Sequence, residues 1–173
     1  MSFGWGQDCD GGNYNCDLYT EECEILLGCN ESDLQILQDF IDLNSINYLE
    51  YFQQDFFDVN QNGQVDPLEL GSQYWENSNL VSLGLGLIRL GFYEFGYFII
   101  DSFPNSFSNL DSLKSFGLYG NIDEPYDLEF PEVIFELSLE YLNISSININ
   151  NNILPHLMNL TNLIELNLYN IQL

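Results

Sequence analysis

The chain has 173 residues and a formal net charge of −25 at pH 7, with only two cations, Arg89 and Lys114. Such a negative surface repels phosphate backbones and anionic lipid headgroups. This excludes nucleic acid as a partner and leaves calcium, cationic protein patches and neutral glycans. Hydrophobic residues make up 46% of the sequence, so the chain can bury a core and is not a disordered acidic tail.

All the cysteines lie in residues 1–30, a segment rich in Gly, Asn and Asp that we expect to form a loop-rich cap. Their even number and their lack of zinc-type spacing favour disulfides and an extracellular or cell-surface location; the alternative is reduced thiols in the cytosol. Several connectivities are possible, and the sequence does not choose among them. The N-terminus lacks the pattern of a signal peptide, so we expect that one has been removed or that the chain is a fragment. The cysteines are Cys9, Cys16, Cys23 and Cys29.

Two helices are predicted in the next segment, residues 31–78. In the first, "ESDLQILQDFIDLN", Ser32 and Gln35 have the spacing of a capping box. Its apolar residues recur at helical spacing and predict one buried face, formed by Leu34, Leu37, Phe40 and Ile41. The second helix, "SINYLEYFQQDFFD", leads directly into a polar loop, and its predicted buried stripe consists of Ile46, Leu49, Phe52 and Phe56.

The polar loop "DVNQNGQVDPLE" has oxygen-bearing side chains at alternate positions around Gly63, where a sharp turn with positive φ is required. This arrangement suits a hard cation that needs six to eight oxygen ligands, and we predict a calcium site. The alternative is a metal-free turn. Gly71 follows soon after and predicts a short exit helix. The sequence offers no second loop to pair with this one, and two of the ligands are Asn, so we expect weak binding, with a Kd of about 0.1–1 mM. The predicted ligands are Asp58, Asn60, Asn62, Gln64, Asp66 and Glu69.

Leucines recur from residue 79 onward in the pattern leucine, two residues, leucine, one residue, leucine. One such unit cannot bury its apolar side alone, so the units are predicted to stack and to form a parallel sheet of short strands. We assign four units of uneven spacing, starting at Leu80, Leu113, Ile134 and Leu163.

The stretch Leu80–Ile100 is long enough to cross a bilayer, but it contains Arg89, Glu94 and several glycines. Each of the two charges would cost about 3 kcal/mol at the bilayer centre. We therefore expect repeat strands and connectors there, and no membrane span.

Residues Leu80–Leu173 resemble leucine-rich repeat proteins, and the connectors "SFPNSFSNLDSL" and "ILPHLMNLTNL" are similar to the convex segments of that family. The polar loop resembles an EF-hand or dockerin calcium loop. A calcium loop followed by such repeats resembles bacterial extracellular proteins. The resemblance implies an α+β solenoid: a small helical, disulfide-bearing cap, a calcium loop that acts as a structural pin, and an irregular repeat sheet in residues 79–173. No polar capping element ends the repeats, so we expect truncation at the C-terminus.

No catalytic motif is present, and we expect a binding module, not an enzyme. It would recognise a protein or glycan through the concave repeat face; the alternative is an acidic surface or matrix protein that assembles through calcium without a specific ligand. We expect Glu136 to lie beside Glu165, and the three tyrosines of the face to align along one edge. The predicted ligand-binding residues are Tyr119, Glu136, Glu140, Tyr141, Glu165, Asn167 and Tyr169.

Overall fold

The computed structural model describes residues 6–7, 13–14, 29–44, 46, 58, 60–86, 88–90, 94–96, 100, 102–120, 125–150 and 152–171. These parts have an α+β fold with a mostly parallel main sheet, which confirms the predicted class at this level. Most of the predicted second helix lies outside the described residues. Cys29 is disulfide-bonded. Cys9, Cys16 and Cys23 lie outside the described residues, and so does the pairing.

One long helix and many short strands make up the described parts. Helix α1 spans Glu31–Leu43, and a one-turn helix, α2, spans Leu154–Leu157. Short 3₁₀ helices lie at Pro67–Glu69, Asn105–Asn109 and Glu132–Glu136. The strands are β1 (Gly6–Gln7), β2 (Asn13–Tyr14), β3 (Ser72–Glu76), β4 (Asn79–Gly86), β5 (Ile88–Leu90), β6 (Glu94–Gly96), β7 (Ser115–Tyr119), β8 (Tyr126–Leu128), β9 (Tyr141–Ser145), β10 (Ile147–Ile149) and β11 (Glu165–Tyr169).

The main sheet has five strands in the order β11-β9-β7-β4-β3. The first four are parallel, and β3 pairs with β4 in the antiparallel sense. In the described part of the chain, three two-stranded sheets accompany it: β1 with β2 and β5 with β6, both antiparallel, and β8 with β10, which is parallel. Parallel pairing of strands that follow one another requires a crossover connection, and the segments between β7, β9 and β11 contain the 3₁₀ helix Glu132–Glu136 and helix α2.

The leucine pattern produces the strands because its alternate residues point to the same side of the sheet. Paired positions form rows across the strands, and the row of Leu83, Phe116 and Leu142 is about 1% exposed at each residue. At β11 the same row ends in Leu166, which is 40% exposed. The core therefore lies behind β4, β7 and β9, and its cover thins at β11 among the described residues.

Helix α1 closes the core beside the first repeat strand. Asn30, not the predicted Ser32, is its N-cap: the Asn30 side chain accepts a hydrogen bond from the backbone N–H of Ser32. The Asn30 N–H in turn donates to the carbonyl of Ser78, in the turn before β4, at 2.7 Å. The buried face of α1 then enters an aromatic cluster in which the ring centroids lie 5.1–6.2 Å apart, formed by Phe40, Phe103, Phe107 and Phe116.

The predicted register of the third repeat is wrong. Strand β9 places Leu142 and Ile144 opposite Phe116 and Leu118, so the unit starts at Leu139 and not at Ile134. Ile134 belongs instead to the 3₁₀ helix Glu132–Glu136. Two leucine patterns overlap in this stretch of sequence, and hydrophobic spacing alone does not distinguish them.

The membrane-length stretch contains strands β4, β5 and β6. Among the described residues, no helix is long and apolar enough to cross a bilayer.

Candidate functional site: the polar loop and the outward face of the sheet

The polar loop is organised first by the carboxylate of Asp58. It accepts hydrogen bonds from the backbone N–H of Asn62 at 3.0 Å and of Gly63 at 2.7 Å. Gly63 has a φ of +91°, a conformation that residues with a Cβ rarely adopt. The first predicted ligand therefore turns the chain at the glycine.

Glu69 closes the loop from its other end. One carboxylate oxygen accepts from the Asn60 N–H at 2.8 Å, and the other accepts from the Asp66 N–H at 2.9 Å. Asp66 and Glu69 also form a capping box at the start of the 3₁₀ helix Pro67–Glu69. The carboxylates of the first and last predicted ligands, Asp58 and Glu69, therefore both accept hydrogen bonds from the backbone of residues 60–66.

The amide side chains point their nitrogens at Asp66. Its Oδ2 accepts from the Nδ2 atoms of Asn60 and Asn62, each at 2.9 Å. The Oδ1 atoms of these two residues accept from the backbone N–H groups of Asn62 and Gln64. Three of the six predicted ligands, Asn60, Asn62 and Asp66, are thus joined side chain to side chain. The carboxylates of Asp58 and Glu69 bind the backbone of the same loop, and Gln64, which is exposed, takes part through its backbone N–H.

The charged form of Glu69 is disfavoured mainly by burial and, to a smaller degree, by the nearby carboxylates. Burial raises the pKa of Glu69 to about 7; the N–H groups of Asp66 and Asn60 lower it, and the charges of Asp66 and Asp58 raise it further. No group of three or more His, Cys, Asp or Glu side chains in the described part of the chain is arranged to hold a metal ion. A cation would need the two Asn side chains to release Asp66 and turn their oxygens inward.

The loop is joined to the main sheet through buried residues that flank its C-terminal end. Val65 is 1% exposed and Leu70 is fully buried in the common core. The Nε2 of Gln73, on β3, donates to the carbonyls of Pro67 at 2.6 Å and Leu70 at 2.7 Å. The side chain of Gln73 therefore joins the C-terminal end of the loop to β3.

The outward face of the main sheet consists of the residues that alternate with the buried ones along each strand. Two rows cross all five strands from β3 to β11, and a third crosses β4, β7, β9 and β11. They are Tyr74, Ser82, Ser115, Tyr141 and Glu165; Ser72, Gly84, Gly117, Asn143 and Asn167; and Gly86, Tyr119, Ser145 and Tyr169.

The predicted ligand-binding residues are only partly brought together. Tyr119, Tyr141, Glu165, Asn167 and Tyr169 lie on the outward face. Glu140, just before β9, lies 3.7 Å from the ammonium group of Lys114. Glu136 lies in a 3₁₀ helix and not beside Glu165, whose partner on β9 is Tyr141.

The predicted line of tyrosines is also wrong. Tyr119 and Tyr169 share one row with Ser145 between them, whereas Tyr141 lies in the row of Ser115 and Glu165. Both errors follow from the register of the third repeat. Sequence reasoning also missed Tyr74, Ser82 and Gly117, although alternation with the buried residues of β3, β4 and β7 would have found them.

Comparisons with known proteins add no relative. No protein-family model, no curated protein and no solved structure matches this chain. The function is therefore inferred from the geometry of the polar loop and of the outward face.

Proposed function

We propose that the chain is an extracellular or cell-surface binding module of the leucine-rich repeat type. The outward face of its sheet would recognise a protein or glycan, and calcium in the polar loop would act as a structural pin. The observation that carries the proposal is the exposure of aromatic side chains on one regular face: Tyr74 is 50%, Tyr141 42% and Tyr169 59% exposed. Tyrosine is enriched in binding sites because it combines a large apolar ring with a polar tip.

The repeat interpretation is supported by the way in which successive strands enter the sheet. The Lys114 N–H donates to the Val81 carbonyl at 2.9 Å, the Glu140 N–H to the Lys114 carbonyl at 2.8 Å, and the Ile164 N–H to the Glu140 carbonyl at 2.8 Å. The same contact thus recurs at the start of each parallel strand. A recurring contact between neighbouring units is what a solenoid requires, since each unit is stabilised by the next.

The calcium proposal is supported by the loop's backbone, which the side chains of Asp58 and Glu69 hold from opposite ends. Calcium prefers carboxylate and amide oxygens, and the loop supplies three carboxylates, two Asn side chains and one Gln. Its contribution would be stability, because a cation would offset the repulsion that the converging carboxylates now experience. Because Gln73 binds the end of the loop, a more stable loop would also stabilise the attachment of β3.

The binding face is tested by a screen of purified extracellular proteins and oligosaccharides, followed by variants in any complex found. Tyr141→Ala and Glu165→Ala are expected to weaken binding by about tenfold each, or 1.4 kcal/mol. Met158→Ala is the matched control, because Met158 is large, 81% exposed and lies just after α2, away from the outward face. If Met158→Ala abolishes binding and the face variants do not change it, the proposed face is wrong.

The alternative is an acidic surface or matrix component that assembles through calcium. The net charge of −25 favours it, since a polyanionic surface gathers divalent cations without a specific site. Light scattering during a calcium titration distinguishes the two. Assembly that Asp58→Ala leaves unchanged, with no saturable ligand, would favour the matrix role.

A further inference from the structure

The central part of the outward face, on β4, β7 and β9, carries no charged side chain in its three rows, although the chain is strongly acidic. On β3, β4, β7 and β9 its three rows contain only Ser, Gly, Asn and Tyr. Among the described residues, carboxylates lie at the margins of these rows, at Glu76 beyond Tyr74 on β3, at Glu165 on β11 and at Glu140 just before β9. The Glu140 carboxylate also has Lys114 as a partner. We propose that the neutral tract between Tyr74 and Tyr141 binds an uncharged oligosaccharide. This inference rests on the proposed function and names its class of ligand.

The ring of Tyr119 forms an aromatic floor in the tract. A Cβ placed on Gly117 would meet the hydroxyl of Tyr119 and would lie 2.7 Å from the Cε2 and Cζ atoms of its ring. A Cβ on Gly84, the partner of Gly117 on β4, would lie 3.3 Å from the same Cε2 atom. The ring therefore lies back along β7 over two glycines, and any larger residue at position 117 would lift it.

The two exposed tyrosines stand at the sides of this floor. Tyr74 pairs with Ser82, Ser82 with Ser115, and Ser115 with Tyr141, so three strand spacings separate the tyrosines. At about 4.8 Å per spacing, their backbones lie about 14 Å apart, which leaves room for a chain of a few sugar rings. In the row that joins the two tyrosines, and in the next row, the residues of β4 and β7 are Ser or Gly and have short side chains or none.

The chemistry of the tract fits a sugar. The C–H faces of pyranose rings stack on aromatic rings, and their hydroxyls exchange hydrogen bonds with hydroxyl and amide groups. The tract offers the rings of Tyr74, Tyr119 and Tyr141, the hydroxyls of Ser82 and Ser115, and the amide of Asn143. A cationic peptide would instead need carboxylates among the contacting residues, and the rows on β4, β7 and β9 contain none.

The test is isothermal titration calorimetry of the whole chain with three kinds of probe. The first is a panel of neutral hexasaccharides built on glucose, xylose, mannose and galactose. The second is hexagalacturonate, which is anionic, and the third is hexalysine, which is cationic. We expect at least one neutral hexasaccharide to bind, hexagalacturonate to bind more weakly than the neutral galactose hexasaccharide, and hexalysine to give only salt-sensitive binding. For the neutral ligand, Tyr74→Ala and Tyr141→Ala should each weaken binding about tenfold, whereas Met158→Ala should not change it.

Gly117→Ala provides a second variant that leaves every contacting side chain in the sequence. It should lift the Tyr119 ring and weaken the neutral ligand, with the far-ultraviolet circular dichroism unchanged. The inference is overturned if no neutral hexasaccharide binds, or if the one that binds ignores Tyr74→Ala, Tyr141→Ala and Gly117→Ala. If hexalysine alone binds and Tyr141→Ala and Glu165→Ala weaken it, the sugar inference fails while the proposed function stands. If a ligand binds only through Met158, both fail.

Discussion

The indole N–H of Trp75 donates to the Oε1 of Gln73 at 2.9 Å, inside the core. Gln73 is 6% exposed and Trp75 is fully buried. The Nε2 of the same glutamine donates hydrogen bonds to the carbonyls of Pro67 and Leu70 at the end of the polar loop. A single side-chain amide thus joins the loop, β3 and the largest buried side chain of the described core.

Gln73→Ala is therefore expected to destabilise the protein strongly. It leaves the Trp75 indole N–H and two backbone carbonyls without this partner, at a cost of at least about 2 kcal/mol. In thermal unfolding this is a fall in Tm of about 4–8 °C. The matched control is Gln35→Ala, whose side chain makes an exposed hydrogen bond to Asp39 four residues on and should cost only about 0.2–0.5 kcal/mol. Equal falls in Tm for the two variants would contradict the role assigned to Gln73.

Two glycines on the outward face should respond differently to alanine. Gly86 has a φ of +119°, and an added Cβ would meet the backbone carbonyl of Tyr119, which cannot move without disturbing the sheet. Gly86→Ala is expected to cost at least about 2 kcal/mol. The nearest atoms that a Cβ on Gly117 would meet all belong to the movable side chain of Tyr119, so Gly117→Ala should cost less than about 1 kcal/mol. Urea unfolding measures both, and a larger loss for Gly117→Ala would show that the Tyr119 ring is fixed by more than its contact with this glycine.

The row of Leu83, Phe116, Leu142 and Leu166 becomes more exposed toward β11, which predicts that the same substitution costs different amounts at two of its positions. Leu142 is 1% exposed between β7 and β11, so Leu142→Ala should cost about 2–5 kcal/mol. Leu166 occupies the same row on β11 but is 40% exposed, and Leu166→Ala should cost less than half as much. The comparison uses the same substitution in the same row and is made by urea unfolding. Equal costs would mean that β11 is covered in solution by something that buries Leu166.

Asp33 predicts a pH dependence. Burial raises the pKa of its carboxyl above 3.8. The hydrogen bond that the carboxyl accepts from the Leu80 N–H, at 2.9 Å, offsets part of this rise, and the negative charge of Asp111 adds to it. The folded state therefore binds a proton that the unfolded state releases, so this residue's contribution to stability falls as pH rises from 3.8 through the raised pKa. Asp33→Asn keeps an oxygen for Leu80 and removes the titration.

The variant is expected to be at least as stable as the wild type at pH 7, and its advantage should shrink as the pH is lowered toward 3.8. Thermal unfolding of both proteins at several pH values measures the difference, which also cancels the general effect of the acidic surface. A variant advantage that grows on acidification would show that the pKa of Asp33 is lowered and not raised.

The parts of the fold that the sequence predicts well are those fixed by local patterns. The face of helix α1 and the strands at Leu83, Phe116 and Leu166 follow from hydrophobic spacing. The third repeat fails because "IFELSLEYLNI" fits the leucine pattern in two registers, and only stacking on β7 selects Leu142. Sequence spacing also places the six loop residues together, but not the direction in which the Asn60 and Asn62 amides point, since that depends on contacts with Asp66 across the loop.

The role of Gln73 cannot be predicted from the sequence pattern for a similar reason. Nothing in "GSQYWE" distinguishes it from an exposed strand glutamine. Its function depends on the loop carbonyls of Pro67 and Leu70 meeting it in space. The contact of the Tyr119 ring with two glycines likewise depends on the pairing of two strands, because Gly84 and Gly117 are far apart in sequence but opposite each other in the sheet.

The most direct test of the proposal that calcium in the polar loop stabilises the fold is to measure stability with and without calcium. Thermal unfolding is measured in 5 mM calcium and in EDTA, with sodium chloride added to match ionic strength because the net charge of −25 makes the protein sensitive to screening alone. For a Kd of about 0.5 mM, 5 mM calcium stabilises the folded state by about 1.4 kcal/mol and raises Tm by about 3–6 °C. Asp58→Ala and Glu69→Ala should abolish the shift, whereas Met158→Ala should retain it. An unchanged Tm for the wild type, or an equal rise in Asp58→Ala, would contradict calcium binding by this loop.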